Sequence, residues 1–396
     1  MKNKAELGGQ TAFLLTMIIL ATTLRMPITG VGSLLSTIRE DLGVSNTIMG
    51  FLTSVPMMVF AVVSPLAAAA GRRFGLGRTI MAALILIFAG ELLRSYTNAV
   101  GLFGGTAVLA AGIGVINVLG VALIKLRAAP ERVGTVTSLY STTMAGTAAV
   151  TIALSVPIAN LFGWRNSLAA WLWLVVLAMI VWGMQFRHPE NQSPASSGGQ
   201  TGMLRRLLRS PLAWQITIFM GAQTMFFYCV TGWFPTILQS RGFSAQAAAA
   251  AASMLQIITL PFTFVVPFLC GRIRTVYLMA ASNAFTAAGL LLFIFSPTYY
   301  MHYAALAIMA VGMGAIFSLC NMFYSLRTRN AAETTALSGM AQCIGYVLSS
   351  FGPVTMGKLF DLTGSWYPPL IFLFAMLVVN IIASQLSARE RYIFDC

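Results

Sequence analysis

Arg25 lies roughly fourteen residues into an apolar run that starts near Thr11 and continues to about residue 36. At about 1.5 Å of rise per residue, a helix places this guanidinium near the middle of a bilayer-length segment, where an arginine costs about 2.5–3.5 kcal/mol on insertion scales. Something must compensate that cost. The fork of donors matches a carboxylate, a nitro group or a cyanate-like anion, and it matches equally the backbone carbonyls of a kinked helix. Both readings stand at this stage. Thr22, Arg25, Thr29, Gly32 and Ser36 alternate at spacings of three and four, which draws one polar stripe along an apolar helix and predicts a wet cavity beside it. Pro27 lacks the amide hydrogen that would bond the Thr23 carbonyl, and Gly30 and Gly32 loosen the next turn, so backbone carbonyls are also candidates to face that cavity.

Other polar residues sit in similar surroundings. Glu91 and Arg94 are spaced i, i+3 on one apolar run and are either a proton-coupling carboxylate with its neighbour or a self-neutralised pair with Arg94 reaching the outer interface. Gln223, Thr224, Tyr228, Thr231 and Trp233 share the seventh run, and Gly314, Phe317, Asn321 and Tyr324 share a face of the tenth. Ser338, Gln342, Gly345, Ser349 and Gly352 form a polar and small-residue stripe on the eleventh, which lines a cavity or permits close helix packing. Aromatic rings with a few amides suit a small planar solute, stacked on its face and bonded at its edge. The expected solute contacts are therefore Arg25, Thr29, Asn117, Tyr228, Phe317, Asn321 and Gln342, with Thr22, Gln223, Trp233, Gln256 and Ser338 as cavity lining. Each polar side chain among them serves an interhelical hydrogen bond as readily, and Trp233 also suits an interfacial anchor. Lys358 and Asp361, again i, i+3, read as a pair at a helix rim.

The elements that must hold these residues are membrane-spanning helices. The chain has 396 residues, 58% of them hydrophobic and 9% charged, a composition too apolar for an ordinary soluble domain. Apolar runs and polar breaks predict twelve helices, near 11 to 36, 46 to 70, 79 to 97, 101 to 124, 135 to 160, 165 to 186, 211 to 239, 245 to 270, 276 to 296, 299 to 325, 336 to 360 and 367 to 386. The first run contains Arg25 and outlasts a signal peptide, so it is read as a span. The formal charge of +14 is dispersed in clusters between spans, which points to positive-inside topology rather than nucleic acid. With both termini cytoplasmic, only Arg39, Arg165, Arg241 and Lys358 of the loop cations fall outside. Residues 187 to 210 carry Pro, Ser and Gly and then Arg205, Arg206 and Arg209, as expected of a flexible cytoplasmic linker ending in a membrane-surface segment. It separates a six-helix bundle at 1 to 186 from another at 211 to 396.

The two bundles are related in sequence. Gly112, Gly114, Ile116, Leu119, Leu126, Arg127, Thr135 and Ser138 recur 200 residues later as Gly312, Gly314, Ile316, Leu319, Leu326, Arg327, Thr335 and Ser338, and Gly43, Ser45 and Gly90 recur 199 later as Gly242, Ser244 and Gly289. Parallel repeats of spanning helices imply a carrier whose halves rock about a site.

Four segments, TLRMPITGVGSLLSTIREDLG, SPLAAAAGRRFGLGR, SPLAWQITIF with VTGWFPTIL, and ALSGMAQCIGYVLSSFGPVTMGKLFD, together resemble the major facilitator superfamily and, within it, the bacterial branch of cyanate permeases and 2-nitroimidazole transporters. The resemblance implies an all-α membrane protein with twelve spans in two pseudo-symmetric bundles. It also implies a secondary carrier of a small polar or anionic organic solute in the bacterial inner membrane, as a facilitator, symporter or antiporter, with a looser multidrug-type exporter as the alternative. Where the superfamily usually carries an Asp after the second helix, this chain has Arg72. Nitrate carriers bear a membrane Arg in each half, and here only the first half has one.

An intramembrane enzyme would need paired acids, a nucleophile with its base, or a metal cluster. The two histidines, His188 and His302, are far from any such set, the cysteines form no CxxC pair, and no nucleotide-binding motif occurs. No cofactor, metal or nucleic-acid partner is implied. The expected partners are the solute and the lipid bilayer, with the monomer as the working unit.

Overall fold

A computed structural model of the chain describes residues 2–127, 133–185, 200–270, 272–296, 298–329 and 331–394. Arg132, Arg187, His188 and the linker up to residue 199 lie outside them. The described residues form helices joined by short turns, with no strand among them. The helices are α1 (Lys2–Thr29), α2 (Val31–Leu42), α3 (Asn46–Phe74), α4 (Leu76–Tyr96), α5 (Ala99–Arg127), α6 (Val133–Phe162), α7 (Trp164–Ala169), α8 (Leu172–Gln185), α9 (Gln200–Leu207), α10 (Pro211–Ser240), α11 (Ala245–Leu269), α12 (Thr275–Phe295), α13 (Tyr299–Leu326), α14 (Ala331–Thr363) and α15 (Tyr367–Ser387).

Two predicted spans are each split in two. The first breaks at Gly30 into α1 and α2. Pro27 has already removed one rung of the ladder, and a Cβ at Gly30 would sit 2.5 Å from Ser155 Oγ of α6, so the break lies where a glycine admits a neighbouring helix. The sixth splits into α7 and α8 at residues 170 and 171. Ten stretches of the described chain are long and apolar enough to cross a membrane. The two remaining long helices, α10 and α14, have ample length at 30 and 33 residues, but they carry Gln215, Gln223 and Gln342 and are the more polar spans.

The repeat is visible in the turns and in the packing. Gly43 and Gly242 both adopt left-handed φ, +62° and +91°, a conformation that only glycine takes without strain. Two residues on, Ser45 Oγ accepts from the Ile48 amide at 3.3 Å and Ser244 Oγ accepts from the Ala247 amide at 3.1 Å, so each turn ends in a serine N-cap. In the first half α4 packs on α5, α1 on α6 and α4 on α8; in the second the equivalent helices pair as α12 on α13, α10 on α14 and α12 on α15. The recurring glycines sit at these crossings. A Cβ at Gly90 would meet the Leu109 amide at 2.4 Å, and one at the equivalent Gly289 would meet the Met309 amide at 2.5 Å. Gly112 and Gly312 are equally tight, against the carbonyls of Ala83 and Ser282. Small residues let the backbones approach, which is how helices gain van der Waals contact in lipid, where no hydrophobic drive separates one apolar surface from another.

The chain gathers into two compact units, Met1–Leu34 with Val62–Ala195, and Leu35–Ala61 with Ser196–Cys396. The second unit thus contains α2 and the first part of α3 together with the helices that follow the linker.

Because the atoms facing Gly90 and Gly289 are backbone and cannot yield, Gly90→Leu and Gly289→Leu are expected to lower stability in detergent by about 1–3 kcal/mol or more. Gly104→Ala, at a position with nothing within 4 Å of the added carbon, should melt like the parent. Thermal denaturation of the three purified variants checks this.

Candidate functional site

In the first unit the chemistry gathers around α1. Arg25 is half-buried on α1, the helix that packs against α6, where Tyr140 is buried. The Tyr140 hydroxyl has no hydrogen-bond partner among the described residues. Gly120 of α5 makes the room: a Cβ there would meet Tyr140 Oη at 2.9 Å. Asn117, one turn before Gly120, is half-buried and makes no hydrogen bond among the described residues. Thr22 and Thr29 turn inward to their own helix, Thr22 donating to the Ile19 carbonyl at 2.7 Å and Thr29 to the Arg25 carbonyl at 3.0 Å. Arg25, Tyr140 and Asn117 thus lie on three mutually packed helices, α1, α6 and α5.

Glu91 and Arg94 of α4 are 0% and 1% exposed. They pair at 2.6 Å, and Arg94 also donates to the Pro27 carbonyl at 2.5 Å. The expectation that Arg94 reaches the interface is corrected: its side chain runs inward to the kinked part of α1, because a buried carbonyl and a buried carboxylate both need a donor. The guanidinium that satisfies a carbonyl of the kink is thus that of Arg94. Gly105 of α5 leaves space for it, since a Cβ there would approach Arg94 Cβ to 2.6 Å.

In the second unit α10 and α14 carry most of the remaining candidates. Gly345 and Gly352 serve close packing, facing Met220 with Gly221, and Met225 with Cys229; Ser349 donates to the Tyr346 carbonyl at 3.0 Å. Gln342 is half-buried and makes no hydrogen bond among the described residues, while Ser338 donates to the Thr335 carbonyl. On α10, Gln223 donates to Thr224 Oγ1 at 2.9 Å, and Tyr228 is half-buried with its ring edge-on to Phe227 at 5.5 Å. Trp233, 1% exposed, donates to the Pro353 carbonyl at 3.0 Å and packs on Trp366, which makes it an internal brace of this unit. Gln256 is buried and points to Thr231 at 3.5 Å. The predicted face of the tenth span divides: Phe317 is 41% exposed and Asn321 donates to its carbonyl, whereas Tyr324 is buried beside Cys320 and Gly314 lies against Thr259.

Asp361 does not pair with Lys358. Its carboxylate accepts from the amides of Asn46 and Thr47 at 3.1 and 2.7 Å and from their side chains at 2.8 and 2.6 Å. A carboxylate from α14 therefore caps the N-terminus of α3, satisfying amides that have no partner in their own helix and meeting the positive end of its dipole. Asp361 lies one residue beyond the predicted 336 to 360 span; partial burial works against its ionisation, and the hydrogen bonds from Thr47 and Asn46 outweigh it and hold the carboxyl below its ordinary value. Neither this cap nor Tyr140 was among the sequence candidates. Among the described residues no group of histidine, cysteine and acidic side chains is placed to hold a metal.

The Major Facilitator Superfamily description matches residues 13–350. The chain belongs to the major facilitator superfamily. It is 39% identical to an uncharacterized transporter of Bacillus subtilis (strain 168), over 98% of this chain and 96% of that one. It is 37% identical to the 2-nitroimidazole transporter of Escherichia coli (strain K12), over 98% of both chains. The crystal structure of a D-xylose-proton symporter, 12% identical, superposes with a TM-score of 0.79 over 97% of this chain and 98% of the other, and shows the shared fold. This superfamily member is a multi-pass membrane transporter and not an enzyme.

Removing one partner of the Glu91–Arg94 pair strands a buried charge, so Glu91→Leu or Arg94→Phe alone should cost about 3–5 kcal/mol. The double variant installs the pair found at the equivalent positions, Leu290 and Phe293, and is expected to melt above either single one. Asp361→Ala should cost about 0.5–2 kcal/mol, the range for a lost N-cap. With its carboxyl depressed, the contribution of Asp361 is present above the ordinary carboxylate value of about 3.9 and is lost as the pH falls below it. Melting curves of parent and variant should therefore converge on acidification.

Proposed function

We propose that this transporter carries a small, planar, polar or anionic organic solute, of the nitro-aromatic or cyanate-like kind, by alternating access. The observation that carries the reading is Arg25: a half-buried cation in the middle of an apolar span, on the helix packed against α6, which carries a buried phenol without a hydrogen-bond partner among the described residues. The fork of Arg25 binds the delocalised oxygens or nitrogen of the solute, and Tyr140 and Asn117 bond its edge. Within the second unit Gln342, Tyr228 and Phe317 are the candidate solute contacts, and Thr22 in the first unit and Gln223, Gln256 and Ser338 in the second lend polarity to the helices that bear them. Thr29, whose hydroxyl holds the Arg25 carbonyl, fixes the backbone that presents the guanidinium. The 2-nitroimidazole transported by the relative is planar and polar, which suits the same donors.

In this scheme the 1 to 186 and 211 to 396 bundles are the moving halves, both termini are cytoplasmic, and the protein works as a monomer in a bacterial inner membrane. Glu91, already engaged by Arg94, positions α1 rather than exchanging protons with the solute path. The 2-nitroimidazole relative also supports an export direction, for which expression should raise resistance to the compound rather than sensitivity.

Uptake or efflux of 2-nitroimidazole by cells carrying Arg25→Ala should fall sharply. A hydrogen bond to a charged group contributes about 1.5–3 kcal/mol, so apparent affinity should drop about 10- to 150-fold. Arg25→Lys keeps the charge without the fork and should restore only part of it. Unchanged transport in both variants would remove Arg25 from the site.

A further inference from the structure

Where α9 leads into α10, the second unit carries a half-open cleft of about 340 Å³ lined by Arg206, Arg209, Arg389 and Arg391. No acidic side chain lines it among the described residues. Of these, Arg206 is held against an aromatic ring, while Arg209, Arg389 and Arg391 are exposed at the rim. Arg206 stacks on Phe394 at 4.2 Å, Ser210 donates to the Ile393 carbonyl at 2.5 Å, and the Ile393 amide donates to the Arg327 carbonyl at 3.0 Å. Arg327 in turn donates to the carbonyls of Ser387 and Ala388, which pins the chain that follows α15. Glu390, the acid between Arg389 and Arg391, is exposed and makes no ion pair with the cleft arginines among the described residues.

Four guanidinium groups lining one small space repel each other, and an anion among them relieves that repulsion. Ser210, Pro211 and Leu212 also line the space, so the positive end of the 30-residue α10 adds to the same potential. Apolar surface adjoins it: Leu208 and Tyr392 are exposed, and Trp214, also exposed, donates to the Leu208 carbonyl at 2.9 Å. A soluble anion has no use for that surface, whereas a lipid lays its acyl chains along it. Met203 and Leu207 of α9 pack into the core of this unit while Arg205 and Arg206 stay exposed, the amphipathic pattern of a helix at a membrane surface.

We propose that this cleft binds the phosphate of an anionic phospholipid from the leaflet on the arginine-rich side. The proposal rests on reading that end of the transporter as lying at the membrane surface, and it is independent of which solute is carried. Arg206 and Arg209 approach the phosphate from α9 and the turn after it, Arg389 and Arg391 from the pinned C-terminal segment, and the headgroup thereby ties the start of the second bundle to its end.

The test is native mass spectrometry of the purified full-length protein with phosphatidylglycerol, with phosphatidylcholine and with inorganic phosphate, alongside thermal stability in each. Phosphatidylglycerol should remain bound and raise the melting temperature, and the other two should do neither. The double variant Arg389→Gln with Arg391→Gln should weaken phosphatidylglycerol binding about 10- to 30-fold. Arg272→Gln with Arg274→Gln, which removes two exposed charges outside the cleft, should leave it within about twofold. Should the first double variant fail to fold, Arg209→Gln alone gives the same comparison with a smaller loss. Equal weakening by both double variants, equal binding of the two lipids, or inorganic phosphate binding as tightly as phosphatidylglycerol would each overturn the proposal. Solute transport is not read in this experiment, so its failure leaves the carrier reading standing, and loss of that reading leaves this one intact.

Discussion

Hydrocarbon neither donates nor accepts a hydrogen bond, so each polar group carried into a span must find its partner within the chain or in water that the chain admits. Much of the structure follows from that demand. Threonine and serine hydroxyls return to carbonyls one turn back, as at Thr22, Thr29 and Thr217. Trp233 serves the Pro353 carbonyl, and Arg94 serves Pro27. Within the first unit the Tyr140 hydroxyl departs from this pattern, having no hydrogen-bond partner among the described residues.

The Arg94 contact links stability to the presentation of Arg25. α1 is interrupted by Pro27 and Gly30, and an interrupted helix exposes carbonyls that have lost their amides. Arg94 takes one of them, Glu91 neutralises Arg94, and Gly105 gives the pair its space. The guanidinium two residues before Pro27 is thereby held on a backbone fixed from α4. A network of this kind is costly to break at one member, because the others are left charged or unbonded in a medium of low dielectric.

Departures from the repeat mark where the two halves do different work. Gly90 and Gly289, Gly112 and Gly312, and the Gly–x–Ser turns at 43 and 242 keep one architecture in duplicate. Arg25, Glu91, Arg94 and Tyr140 stand against Thr224, Leu290, Phe293 and Met340. The charge is thus concentrated in the first unit, and the matching places of the second are packed with neutral side chains. The shared glycines build the scaffold, and the unshared polar residues give it chemistry.

Sequence alone determined the helical class and the repeat, because those depend on composition and spacing along one chain. The bilayer makes an apolar run of some twenty residues almost synonymous with a helix, and a fixed offset needs no coordinates to detect. What only the tertiary structure decided is which polar groups meet. Glu91 with Arg94 was legible as an i, i+3 pair, but the Pro27 carbonyl is 67 positions away. Asp361 looked like a partner for Lys358 on its own helix and instead caps α3 some 315 residues earlier. Tyr140 carried no helical neighbour to betray it, and Trp233, an apparent cavity or interface residue, proved to be internal bracing. Spacing reports which side chains share a face, whereas a buried hydrogen bond is chosen by whichever unsatisfied atom the packed neighbour brings within 3 Å or so, and that choice is made between helices.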